Sequence, residues 1–317
     1  MTSESSRRLA AIDIGTNSVL LLVAEATRGR IEVLVERAEI TRLGEGVDRT
    51  GRLSEAACER TLAVLRAYAA ECRSLGVERL HAVGTSAMRD AAEGREFVDA
   101  AEGILGARPE VISGRREAEL TFEGALSGLS LEGPVQVFDI GGGSTEIILG
   151  TAARAGTAAE SIESAVSLDI GSVRLFERCI RTEPASSEDL ARVRQEIRRA
   201  LAMAPAPAFG GTLVGVAGTV TTLLALELGL VEYDARRVHG GVMSHDALSS
   251  LASRLEKLNL EQRRAIPGLA PGRADVIVAG AAIAVEVMAW SRAREMIVSD
   301  RGVRWGILQR MARGQAV

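Results

Sequence analysis

Apolar residues follow two rhythms along this chain: short continuous runs, and stretches that return every three or four positions. Runs at 9–13, 19–25 and 31–41 read as strands, and Ile14-Gly15-Thr16-Asn17-Ser18 joins the first two as a hairpin. Ser54 precedes Cys58, Leu62, Leu65, Ala69 and Cys72, spaced by four and three, which predicts a capped helix ended by Gly76. A strand is expected at 80–83, followed by the small-residue segment Gly84-Thr85-Ser86-Ala87-Met88-Arg89-Asp90. A helix at 94–105, a short strand at Val111 and Ile112, and a helix opened by Ser113-Gly114 and running to 126 follow.

The pattern then restarts. Strands at 135–139 and 145–149 flank Ile140-Gly141-Gly142-Gly143-Ser144. Asp13-Ile14-Gly15-Thr16-Asn17-Ser18 and Asp139-Ile140-Gly141-Gly142-Gly143-Ser144 both read Asp-Ile-Gly-x-x-Ser, 126 residues apart. That offset is too long for a solenoid repeat and implies two related domains, 1–130 and 131–317, with the boundary within 127–134. Helices are expected at 187–203, 219–228, 245–258 and 274–292, with a Pro/Gly/Ala loop at 203–211. Alternating strands and helices place the chain in the α/β class.

Composition narrows the chemistry. With 317 residues, 47% of them hydrophobic and 25% charged, the chain has ordinary globular composition and enough length for two cores. The net charge of −4 argues against a nucleic-acid-coating protein. Lys257 is the sole lysine and has no glycine-rich lead-in, which excludes a Walker A loop and disfavours Schiff-base chemistry. Cys58, Cys72 and Cys179 form no disulfide framework, and His81, His239 and His245 lack zinc-site spacing, so a reducing cytoplasm fits. Residues 1–8 are polar, unlike a signal peptide, and the apolar run 276–285 is too short to cross a bilayer. No nucleic-acid or membrane partner is expected.

The repeated turn suits phosphate. Glycines let the backbone approach closely and turn N–H groups inward as an anion-binding nest. The strand-end carboxylates Asp13 and Asp139 can hold a hard cation that neutralises phosphate charge. A third glycine-rich element, Val214-Gly215-Val216-Ala217-Gly218-Thr219, precedes a helix and can face a phosphate at that helix's start.

Three such loops in this order resemble the actin, heat-shock chaperone and sugar-kinase superfamily, and within it the exopolyphosphatase/guanosine pentaphosphate phosphohydrolase family. The resemblance extends through Arg42-Leu43-Gly44-Glu45-Gly46-Val47, Gly84-Thr85-Ser86-Ala87-Met88-Arg89-Asp90-Ala91, Ile112-Ser113-Gly114 with Glu117-Ala118, and Phe138-Asp139-Ile140-Gly141-Gly142-Gly143-Ser144-Thr145-Glu146. It continues in Ser167-Leu168-Asp169-Ile170-Gly171-Ser172-Val173-Arg174 and Arg273-Ala274-Asp275, in the short form that lacks the C-terminal helical extension of longer members.

The resemblance implies two ribonuclease-H-like (actin-like ATPase) domains with the active site in the cleft between them. It implies release of terminal phosphate from inorganic polyphosphate, with Mg²⁺ or Mn²⁺ as cofactor, and a homodimer. Hydrolysis of guanosine pentaphosphate is the alternative, and an ATP-dependent small-molecule kinase or a nucleotide sensor is a more distant one. Glu117 matches the family's catalytic glutamate, which activates water. Asp13, Asp139 and Glu146 match metal positions. Gly15, Thr16, Asn17, Ser18, Arg89, Gly141, Gly142, Gly143, Ser144, Gly218 and Thr219 match phosphate-contacting positions. Arg116 stands where the family often has an acid, and Arg115 and Arg116 are read either as solvated helix-start residues or as attractors of polyanion. Arg273 and Asp275 are read as a helix-start pair.

Overall fold

The first apolar runs pair as a meander: β1 (Arg7–Ile14), β2 (Ser18–Thr27) and β3 (Arg30–Ile40), antiparallel in sequence order. β4 (Arg79–Gly84) lies parallel to β1, and β5 (Glu110–Val111) parallel to β4, giving the order β3-β2-β1-β4-β5. The computed structural model describes residues 6–27, 30–153, 161–207 and 210–317. The expected loop at 203–211 therefore lies partly outside the described residues.

Every apolar side chain on one face of β1 and β2 (Ala10, Ile12, Ile14, Val19, Leu21, Val23) is buried in one cluster with the Glu55–Ser74 and Gly94–Leu105 helices. The alternate set (Leu9, Ala11, Leu22, Ala24) packs against Leu120 and the Val303–Ala312 helix. This two-sided burial explains why β1 and β2 read as continuous apolar runs. On Glu55–Ser74, Ser54 caps the helix as expected, its hydroxyl accepting the Ala57 N–H at 3.2 Å. The buried stripe is Ala57, Thr61, Leu65, Tyr68, Ala69 and Cys72, so Cys58 and Leu62 sit at its border, half-buried. Thr61 tolerates the core because its hydroxyl donates to Ala57 O at 2.8 Å. The edge strand β3 carries a register shift opposite Val23 and Ala24 and a charged, mostly exposed sequence, both of which blunt pairing with another strand.

The second half repeats the plan. β6 (Gly133–Ile140), β7 (Thr145–Ala152) and β8 (Ser161–Leu168) form an antiparallel meander, and β9 (Thr212–Val216) lies parallel to β6. With β10 (Gly241–Ser244) and β11 (Glu295–Val298) the order is β8-β7-β6-β9-β11-β10. Its core is the Ile277–Trp290 helix, nearly all of it buried, packed among the Ser187–Leu201, Ala217–Glu227 and His245–Lys257 helices.

The compact units are residues 1–124 with 303–317, and residues 125–302. The last helix thus belongs to the first unit, unlike the contiguous split at 130/131. The reason is visible in its packing: Val303, Ile307, Leu308 and Met311 complete the core beneath β1 and β2, and Arg310 pairs with Glu123.

Candidate active-site residues

In the first unit, Asp13 stands at the carboxyl end of β1, flanked by Leu20 on β2 and Val83 on β4. That is where open α/β sheets bind ligands. The turn that follows is closed by Gly15 N–H donating to Ser18 O at 3.0 Å. The segment after β3 folds over it. Thr41 and Arg42 N–H groups donate to Asn17 O at 3.1 and 2.9 Å, and Gly44 N–H donates to Thr16 O at 2.8 Å. Arg42 adopts φ +53 to do so, a left-handed conformation costing ~1–2 kcal/mol in a non-glycine residue. Glycine suits position 44, because a Cβ there would press on the Thr16 methyl. The Thr16 and Ser86 hydroxyls meet at 2.7 Å, both buried, tying the turn to the short Ser86–Asp90 helix.

That helix carries Arg89. Its Nη1 donates to Glu117 Oε2 at 2.7 Å and to Ile112 O at 3.0 Å. Glu117 lies in the first turn of the Gly114–Leu126 helix and is only 8% exposed. Ser113 opens this helix as expected, its hydroxyl accepting the Arg116 N–H at 3.2 Å. The three glutamates on the helix differ sharply. Glu119 pairs with Arg115 and Arg116, and Glu123 is clasped by Arg310. Glu117 alone faces the arginine of the small-residue segment. Arg116 is thereby held to Glu119, while Arg115 is largely exposed.

In the second unit, Asp139 occupies the matching place on β6, directly opposite Glu146 on β7. Gly141 N–H donates to Ser144 O at 3.0 Å. The segment after β8 folds over this turn too: Ser172 N–H reaches Gly141 O at 3.0 Å, and Val173 and Arg174 N–H groups reach Gly142 O at 2.9 and 3.0 Å. Arg174 Nε adds a bond to Gly143 O at 2.6 Å. A Cβ on Gly171 would collide with the Gly142 carbonyl. Glu146 is 1% exposed, and its Oε1 accepts the Ser144 and Ser167 hydroxyls at 2.8 and 2.7 Å. In both turns the N–H groups of the middle residues, Thr16 and Asn17 in one and Gly142 and Gly143 in the other, have no acceptor among the described residues. All four residues are buried. Buried, unpaired N–H groups are rare, and grouped ones point to an anionic ligand. Asn17 Oδ1 is likewise buried without a hydrogen-bond partner among the described residues.

The third glycine-rich element spans the end of β9 and the start of Ala217–Glu227. Ala217 has φ +70, a strained start to a helix. The Arg273 guanidinium lies against Gly218 and has no carboxylate partner among the described residues. Burial pulls it below the ordinary arginine value. Arg273 is thus placed on the loop rather than paired at a helix start, while Asp275 accepts its neighbour Val276 N–H at 2.9 Å. Thr219, at the start of the Ala217–Glu227 helix, packs its methyl against Gly280.

Residue spacing did not reveal Ser86 or Ser167 as braces. Both lie inside stretches that carry the family resemblance, but their partners are 70 and 21 residues away. Among the described residues, no group of three or more His, Cys, Asp or Glu side chains could hold a metal ion.

Two α/β units that share a five-strand order, the second extended by the antiparallel β10, each present unsatisfied N–H groups on an Asp-led glycine turn and define a phosphate-handling protein of the actin-like fold. Residues 22–314 match the Ppx/GppA phosphatase family, and the chain belongs to it. It is 38% identical to exopolyphosphatase 2 of Mycobacterium tuberculosis, over 96% of this chain and 98% of that one. The Ppx/GppA family member from Aquifex aeolicus superposes with a TM-score of 0.82 at 32% identity, covering 99% of this chain and 100% of that one. An exopolyphosphatase from Cytophaga hutchinsonii superposes with a TM-score of 0.88 at 26% identity, covering 98% and 99%.

Proposed function

We propose that this protein is an exopolyphosphatase, releasing the terminal phosphate of linear inorganic polyphosphate by hydrolysis. The observation that carries this reading is Glu117, a buried carboxylate oriented by Arg89 at 2.7 Å while Glu119 and Glu123 are committed elsewhere. A water oxygen attacks the terminal phosphorus in line with the bridging oxygen. The bridging P–O bond breaks, its electron pair stays on the shortened chain, and Glu117 takes the water's proton. The products are orthophosphate and a chain one unit shorter.

The unsatisfied N–H groups of Thr16, Asn17, Gly142 and Gly143 hold phosphate oxygens, as do Arg89 and the Gly218 loop. Asp13 and Asp139 would hold Mg²⁺ or Mn²⁺. Their hard oxygens suit such an ion, which is commonly held by one or two carboxylates plus substrate phosphates. When bound, the ion neutralises developing phosphate charge. Glu146 braces the turn through Oε1, which accepts two hydroxyls, and Oε2 is the atom that would face the ion.

Glu117→Gln tests the reading. Gln keeps the size and still accepts a hydrogen bond from Arg89 but cannot take the proton, so turnover is expected to fall by roughly 10²–10⁴-fold, with thermal melts checking that the variant is folded at the assay temperature. Glu119→Gln should retain turnover. The assay is phosphate release from polyphosphates of several lengths, guanosine pentaphosphate, ATP and pyrophosphate, with Mg²⁺ and after EDTA. Wild-type turnover by Glu117→Gln would remove the base. Preference for guanosine pentaphosphate would move the activity to stringent signalling.

No helix among the described residues is long and apolar enough to cross a membrane, and none of the three cysteines forms a disulfide. A cytoplasmic homodimer is the setting we propose, and light scattering reads the assembly directly.

A further inference from the structure

Arg89 divides its guanidinium between two tasks. Nη1 carries two protons, and both are spent: one on Ile112 O at 3.0 Å, one on Glu117 Oε2 at 2.7 Å. The three remaining N–H groups, on Nε and Nη2, have no acceptor among the described residues. The side chain keeps 21% of its surface exposed while Nη1 is anchored. The Nε–Nη2 edge is also a fork that matches two phosphate oxygens.

Resting on the exopolyphosphatase reading, we propose that Arg89 joins substrate binding to base orientation. Its Nε–Nη2 edge grips the terminal phosphate while its Nη1 holds Glu117 at the angle from which the carboxylate meets the attacking water. The backbone anchor makes this a fixed geometry. The Ile112 carbonyl sits at the end of the strand that leads, through Ser113, into the Glu117 helix. On the other side, Thr16 and Ser86 pin the start of the Arg89 helix to the first phosphate turn. One guanidinium therefore senses the phosphate turn, the substrate and the base together. Lysine cannot substitute, because one ammonium offers three protons from a single point, whereas Ile112 O, Glu117 and two phosphate oxygens need four donors in fixed, divergent directions.

The test is a double-mutant cycle of Arg89→Lys and Glu117→Gln in the full chain. kcat and KM for phosphate release are measured alongside direct polyphosphate binding. Arg89→Lys alone is expected to lower kcat by roughly 10²-fold through misplacement of the base, and to raise KM. In the Glu117→Gln background the same change should leave kcat within about threefold while still weakening polyphosphate binding, since no base remains to be oriented. That non-additivity in kcat, with additivity in binding, is the supporting result. An equal loss of kcat in both backgrounds, with Glu117→Gln itself slow, overturns the orienting role and leaves the function intact. Wild-type turnover in Glu117→Gln overturns the base assignment and this inference with it. Thermal melts check folding. If the Lys variant melts early, Arg89→Gln, which keeps one donor for Ile112 O, completes the same cycle under the same criteria.

Discussion

Gly15 N–H meets Ser18 O at 3.0 Å in the first Asp-Ile-Gly-x-x-Ser turn, and Gly141 N–H meets Ser144 O at 3.0 Å in the second. Each turn joins the first two strands of a meander, and in each the segment after the third strand donates backbone N–H groups down onto the turn's carbonyls. Their braces differ. The first turn is covered by Thr41–Gly44, with a left-handed Arg42, and is tied sideways by the Thr16–Ser86 hydroxyl pair. The second is covered by Gly171–Arg174 and tied from below by Glu146, which gathers the Ser144 and Ser167 hydroxyls. A shared backbone keeps the anion nest, while the side chains around it are free to specialise. In the first unit they lead to Arg89 and Glu117, and in the second to a buried carboxylate facing Asp139 across the β-ladder.

The largest expected effect separates the two strand-end aspartates. Asp139→Asn and Asp13→Asn should each cut turnover by about 10²-fold or more, since a bound cation contributes several kcal/mol of charge stabilisation. Phosphate release at saturating Mg²⁺ measures it. A loss confined to one aspartate would mean that only that turn serves the ion.

The covering segments give the next contrast. Gly171→Ala drives a methyl into the Gly142 carbonyl, which cannot move without opening the turn, and should cost about 3 kcal/mol. Gly44→Ala meets chiefly the Thr16 methyl, a side chain able to yield, and should cost about 1 kcal/mol. Chemical denaturation of both variants decides the order, and the reverse order would show the first turn to be the more rigid.

Smaller still are the hydroxyl ties. Ser167→Ala leaves Glu146 Oε1 with the Ser144 hydroxyl and should lower stability by about 1 kcal/mol. Ser86→Ala should cost a similar amount but also loosen the helix carrying Arg89, so kcat should fall more than for Ser167→Ala. Equal kcat for the two would cut the proposed link from the first turn to Arg89. Gly103→Ala is the background control. It lies in the Gly94–Leu105 helix with nothing within 4 Å of the added methyl, and should stabilise by ~0.5–1 kcal/mol.

Much of this was legible in the order of residues. The three-strand meander, the Ser54-capped helix and the 94–105 helix follow from local apolar rhythm and capping, because neighbouring residues decide them. The two Asp-Ile-Gly-x-x-Ser turns are legible for the same reason, since a glycine turn between strands is a local object. β8, β10, β11 and the Ser172–Cys179 helix were not read from the pattern. β10 and β11 are four residues each, too short for a rhythm, and β8 has a weak apolar alternation.

What tertiary structure alone decided concerns partners far apart in the chain. Glu117, Glu119 and Glu123 look alike along their helix. Only folding gives the first to Arg89, 28 residues away, and the last to Arg310, 187 residues away. Arg273 leaves its neighbour Asp275 for Gly218, and the final helix returns to the first unit because β1 and β2 need a cover for their second apolar face. Local residues set the turn and the nest, since backbone conformation costs are local. Which of the three carboxylates gains Arg89 within hydrogen-bond reach depends on packing between distant segments, and sequence spacing does not encode that distance.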